Sequence, residues 1–293
     1  MYGMDSEVER MERNDPDLDE IYLDGVQIST ELADSIGNAI ACNTTVEQIS
    51  LHENALNNQS ATRIARGLRR NGTVSELFVW ANPIGPKGVA DIADAVSSNP
   101  KLRTLHLYDN GAGNGGADAV ARTVLNRTRP AAQSLRTLAL AHNNIDAAGL
   151  RNLATAAAAH PTLTEMDLSY NPLGDAGAKL IANCLAADKT LEELRLRGTA
   201  IGDEGLAAIM RAVRVHPKLK VLDLGENEIS SQGTSALAEE LSGEEWKSPL
   251  QELDLARNWF AFEAGTGENQ FIEGTARAHL LGAANKRGLT IRL

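Results

Sequence analysis

Large aliphatic residues recur along this chain in one short phrase, L-x-x-L-x-L-x-x-N, written most fully from Leu135 to Asn143. Aligned on that phrase, units start at Leu18, Val46, Val74, Leu102, Leu135, Leu163, Leu191, Leu219 and Leu250. Six of the eight intervals are 28 residues; the others are 33 after Leu102 and 31 after Leu219. Leu138 and Leu140 alternate with Thr137 and Ala139, which predicts a short strand sending its leucines to one side. Most units continue with Gly at one register, as at Gly88, Gly116, Gly149, Gly177, Gly205 and Gly233. Apolar residues at helical spacing follow, such as Leu180 and Leu185, or Ile209 and Val213. Each unit is therefore expected to be a strand, a loop, a helix and a short return.

Self-similarity at this period resembles the ribonuclease-inhibitor-like class of leucine-rich repeats, over roughly residues 18–293. The resemblance implies an α/β right-handed solenoid of about nine repeats shaped as a horseshoe arc. Its parallel sheet would line the concave face and its helices the convex face. Such a chain is expected to be one elongated body, with a capping helix over 1–17, repeats one to eight over 18–249, and the last repeat with a C-terminal cap over 250–293. Nine strands about 4.8 Å apart would make a sheet arc of roughly 40 Å.

The asparagine that ends each phrase (Asn54, Asn82, Asn110, Asn143, Asn171, Asn227, Asn258) stands where the chain leaves the strand. Its amide is expected to bond backbone groups left open by the turn, building a structural ladder. Val26 and Thr199 interrupt it, and the Thr199 hydroxyl is expected to keep part of the bonding. Residues 5–17 read as a short charged helix with Val8 and Met11 on one side, covering the first repeat. The following stretch, Asn14 to Val26, is similar to the start of the leucine-rich domain of tropomodulins, which implies a shared way of capping the solenoid.

The formal net charge of -11 argues against nucleic acid or an anionic membrane as main partner and permits a basic protein. Two cysteines, Cys42 and Cys184, fit buried free thiols in a reducing compartment. No stretch has membrane-spanning length, and the acidic start has no signal core, so an intracellular, cytoplasmic protein without membrane insertion is expected. Sequons at Asn43, Asn58, Asn71 and Asn126 are then read as structural features of the returns rather than glycosylation sites.

Function is expected between the leucines, at the second, third, fifth, seventh and eighth positions of each phrase, which should face the concave side or its rim. Across nine units these positions hold fifteen acidic and six basic residues. An acidic concave face would steer an oppositely charged partner. Five of the chain's eleven aromatics also fall there: Tyr22, Phe78, Trp80, Tyr108 and Tyr170. With His52, Glu53, His106 and Asp109 they form the candidate protein-binding residues, because exposed aromatic clusters commonly anchor protein interfaces. Arg195 and Arg197 are expected to pair across strands with Asp167 and Asp223, and Arg63, Arg66 and Arg70 to form a solvated stripe on a helix. Two long units end in NRTRPAAQS and SGEEWKSP, with Trp246 in the second. The last unit brings Trp259, Phe260, Phe262 and Phe271 into a C-terminal cap closed by a strand at Leu289, Ile291 and Leu293.

Phosphate-binding loops, metal-ligand spacings and nucleophile elbows are absent, so neither a catalytic residue nor a cofactor is expected. The stretch Asp109-Asn110-Gly111-Ala112-Gly113 resembles a loop of the leucine-rich activating proteins of the Ran GTPase, implying GTPase activation as the alternative. Here Asp109 stands where that family has asparagine. The leading expectation is a non-enzymatic interaction module or scaffold subunit of a multi-protein assembly.

Overall fold

The computed structural model describes residues 4–258 and 274–293. Trp259, Phe260, Phe262 and Phe271, expected in the C-terminal cap, lie outside the described residues. The chain divides into two compact units, Met1–Ile145 with Ala159–Leu163 and Asp146–Ala158 with Thr164–Leu293.

The first unit opens with α1 (Met4–Glu12) and alternates β1 (Glu20–Tyr22), α2 (Thr30–Cys42), β2 (Gln48–Ser50), α3 (Asn58–Leu68), β3 (Glu76–Phe78), α4 (Gly85–Val96), β4 (Thr104–His106) and α5 (Gly113–Arg122). A 3-10 turn at Pro130–Gln133 then leads to β5 (Thr137–Ala139). The second unit contains α6 (Ala147–Ala158), β6 (Glu165–Asp167), α7 (Gly174–Ala187), β7 (Glu193–Arg195), α8 (Asp203–Val213), β8 (Val221–Asp223), α9 (Ser231–Ser242), β9 (Glu252–Asp254), α10 (Gly274–Asn285) and β10 (Thr290–Arg292). Strands β1 to β5 pair in sequence order, all parallel, and so do β6 to β10. This is the expected α/β solenoid unit, present in each half.

Register follows the phrase. Leu77 pairs with Leu105 and Leu105 with Leu138, while Met166, Leu194, Leu222 and Leu253 form the same row in the second unit. All of these side chains are at most 1% exposed, so the middle of each of these strands is core, whereas Ile291 in the terminal strand β10 is only half-buried. Val8 and Met11 of α1 are buried as expected, at 7% and 1% exposure. The recurring glycine has a packing reason: a Cβ at Gly88 would stand 2.8 Å from the Cβ of Ile84, and one at Gly177 would stand 2.7 Å from that of Leu173.

The asparagine ladder spans neighbouring repeats. Asn82 donates to the carbonyls of Leu51, Val79 and Trp80 at 3.0–3.1 Å, and its Oδ1 accepts from the amides of Asn54 and Leu56. Asn143 and Asn227 repeat the arrangement. Thr199 keeps part of it, its hydroxyl donating to the Leu196 carbonyl at 2.7 Å.

A second ladder, which the leucine phrase does not mark, closes five of the returns. Asn43, Asn71, His160, Asp188 and His216 each accept from the amides two and three residues ahead. Asn43 and Asn71 are therefore buried and bonded, which removes two of the four sequons from any glycosylation argument. Two further expectations change. Cys42, the last residue of α2, is exposed, and only Cys184 is buried. Trp246 is 8% exposed and packs inward, so the eighth unit's extra residues do not present it to a partner.

Candidate functional site

Parallel strands in register sort the outward residues of the first unit into rows. One row holds Tyr22, Ser50, Phe78, His106 and Ala139. Two residues further along each repeat come Asp24, His52, Trp80, Tyr108 and Ala141. His52 stacks on Trp80 with centroids 4.0 Å apart and planes 8° apart. Trp80 meets Tyr108 edge-on at 6.3 Å, and Tyr108 meets His142 at 4.9 Å. Beside this chain of rings, Phe78 and His106 make a second edge contact at 4.8 Å. The rings thus pack on one another and still form one surface, for Phe78, Trp80, His106, Tyr108 and His52 are all partly exposed.

One end of the row is anchored by a carboxylate. Asp24 Oδ1 accepts from the Ser50 hydroxyl at 2.7 Å and from the His52 amide at 3.1 Å, and lies 2.9 Å from His52 Nδ1. Ser50 Oγ is also 3.0 Å from that same nitrogen. Nucleophilic catalysis needs the hydroxyl and the carboxylate on opposite ring nitrogens. Here both share Nδ1, and Ser50 is 4% exposed. The cluster therefore orients the His52 ring against Trp80. Tyr22 is 53% exposed; its hydroxyl donates to Glu20 at 2.7 Å and accepts from the Gln48 amide at 2.7 Å. The bond to Glu20 holds its phenol above the ordinary value. Glu53 and Asp109 sit at the rim, both exposed and both with left-handed backbone, φ 57° and 50°.

Eight of the nine candidate residues are therefore brought to one face of the first unit. Tyr170 belongs to the second unit, where its hydroxyl donates to Glu226 at 3.0 Å. Sequence reasoning missed His142, Asp24 and Ser50. His142 was legible as the eighth position of its phrase, but the anchoring role of Asp24 and Ser50 depends on a side-chain geometry that spacing alone does not give.

The strand face of the second unit is ionic. Arg197 donates to Asp223 at 3.0 Å, to Asp254 at 2.9 Å and to Glu226 at 3.3 Å. Burial works against its charge, but the three carboxylates outweigh that and raise its pKa. Arg195 lies in register with Asp167 and Asp223, yet its ion pair is with Glu193 on its own strand. Cross-strand pairing is thus found for Arg197 and not for Arg195. Among the described residues no group of three or more His, Cys, Asp or Glu has a geometry that could hold a metal ion, and no helix is long and apolar enough to cross a membrane.

A family model described as "Leucine Rich repeat" matches residues 131–154, 159–182, 187–210 and 215–238. No curated protein sequence matches the chain. Solved structures similar to it include the tropomodulin C-terminal domain of Caenorhabditis elegans, at 13% identity over 62% of this chain and 90% of that one, with TM-score 0.43. The yeast Rad7 and Elc1 complex matches at 15% identity over 88% and 68%, with TM-score 0.49. The leiomodin-1 actin-binding site 2 structure matches at 18% over 72% and 87%, with TM-score 0.35. Four repeats match that family model, and the same phrase, ladder and strand-loop-helix unit continue outside them, so the chain has the leucine-rich-repeat fold and is similar to its ribonuclease-inhibitor-like type.

Proposed function

We propose that the chain is a non-enzymatic interaction module, a scaffold subunit of a cytoplasmic assembly, that binds a protein partner on the strand face of its first unit. Leucine-rich repeats are generally a protein-interaction fold, and the observation that carries the reading here is the run of rings from His52 through Trp80 and Tyr108 to His142. A pre-stacked aromatic surface loses little side-chain freedom on binding and offers large, amphipathic contact area. Glu53, Glu76 and Asp109 border it, so the partner segment is basic, with cationic side chains lying over Trp80 or Tyr108 and reaching these carboxylates. Tyr170 offers a further exposed ring in the second unit.

The test is affinity capture from native extract with the intact chain beside a Phe78→Ala, Trp80→Ala double variant, at low and high salt. Loss of one dominant protein in the variant, by about tenfold or more, is the expected result, because central aromatic residues carry most of the energy of such interfaces. Identical capture by both chains refutes the reading.

A further inference from the structure

Charge is distributed unevenly in the first unit. Residues 1–62 carry two Lys or Arg against thirteen Asp or Glu, whereas residues 63–136 carry eleven against five. Much of the basic excess gathers on one edge, where helix ends return to strand starts. Backbone bonds fix that edge: the Arg103 amide donates to Ser75 at 2.7 Å, the Arg136 amide to Arg103 at 2.8 Å and the Ala131 amide to Ser97 at 3.1 Å. Three successive returns therefore lie side by side.

The long fourth unit adds Arg127 and Arg129 to this edge. Arg129 and Arg69 approach Asp94 from two repeats, at 3.8 and 2.6 Å. Arg70, Lys101, Arg103 and Arg127 are exposed and form no ion pair among the described residues. Towards the N-terminus the same row of rungs turns acidic, at Glu47 and Asp19, which bounds the basic stretch.

We propose that this edge, centred on Arg103 and Arg127, binds an acidic segment of a partner protein. Guanidinium groups match carboxylates with paired hydrogen bonds, and arginine outnumbers lysine here. No aromatic side chain stands among these returns, so the stacking that holds single-stranded nucleic acid is missing. An extended polyanion or membrane would also feel the chain's charge of -11, whereas a short peptide feels the local field, since screening acts over roughly 8 Å at physiological salt.

Fluorescence anisotropy with the full chain and a short labelled peptide of alternating Glu and Ser tests this, beside a labelled oligodeoxynucleotide and phosphatidylserine vesicles. The peptide is expected to bind at low salt and to weaken as salt rises. An Arg103→Glu, Arg127→Glu variant should bind it about tenfold or more weaker, and a milder Arg103→Gln, Arg127→Gln variant should fall between, whereas Trp80→Ala should leave it unchanged. Failure of the peptide to bind at low salt, equal binding by all variants, or tighter binding of the oligonucleotide or vesicles that the reversal abolishes would each overturn the proposal.

Discussion

At the scale of single residues, the turn before each ladder asparagine asks for an unusual backbone. Glu53, Ala81, Asp109, His142, Tyr170, Glu226 and Arg257 all have φ between 50° and 58°, and Gly25 and Gly198 fill the same position in two other repeats. A side chain there costs on the order of 1 kcal/mol, which the ladder bonds on either side hold in place. Replacing Ala81 with Gly relieves the crowding against the entropy that glycine gives up. Ala81→Gly is therefore expected to raise stability by up to about 1 kcal/mol in urea unfolding, and a loss of stability would show that the turn is unstrained. The asparagine ladder was legible because one residue type recurs at one position. The left-handed turn was hidden, because seven different contexts fill it with residues other than glycine. The same turn fixes how Glu53 and Asp109 leave the rim, so two candidate site residues take their direction from a backbone feature that their identity does not announce.

At the scale of elements, close approach and buried polar bonds decide stability. Helices α2 and α3 meet backbone to backbone, for a Cβ on Gly67 would run into the carbonyl of Gly37. Gly67→Ala is expected to cost about 3 kcal/mol, read as a lowered urea midpoint, whereas Gly72→Ala, with open space around it, should cost much less. In the second unit, buried Asp188 accepts from the amides of Thr190 and Leu191, the Thr190 hydroxyl and the His216 ring. His216 Nδ1 itself accepts from two amides, so its proton lies on Nε2, facing Asp188. Burial pushes the Asp188 carboxyl up, but His216 and the other donors outweigh it and leave the pKa below the usual value. The resulting stabilisation is complete above the unfolded value near 4 and is lost as the pH falls through the lower folded value. Asp188→Asn should therefore destabilise by about 1–3 kcal/mol at neutral pH, with a gap to the parent chain that narrows below about pH 4. A gap independent of pH would refute the assigned charge state. Burial also pushes the Cys184 thiol up to about 12, which leaves it an unreactive packing residue.

At the scale of the molecule, a uniform repeat carries unlike surfaces. The strand face of the first unit is aromatic and that of the second is ionic, although strand, ladder and return are built alike in both. The repeat was legible because every unit must solve the same packing problem. The stacking of His52 on Trp80 depends on side-chain rotamers that a period does not encode. The aromatic positions were legible for a physical reason: the aliphatic core uses Leu, Ile, Val and Ala, so a ring between the leucines has no core role to fill. In the proposed function, the partner docks on the ring surface centred on Trp80. Hydroxyl-radical footprinting of the chain alone and with its captured partner tests this most directly, since aromatic side chains report their own exposure. Oxidation of Phe78, Trp80 and Tyr108 should fall several-fold in the complex while the exposed Val215 stays unchanged. Undiminished oxidation of those three rings, with protection confined to helix residues, would contradict the claim.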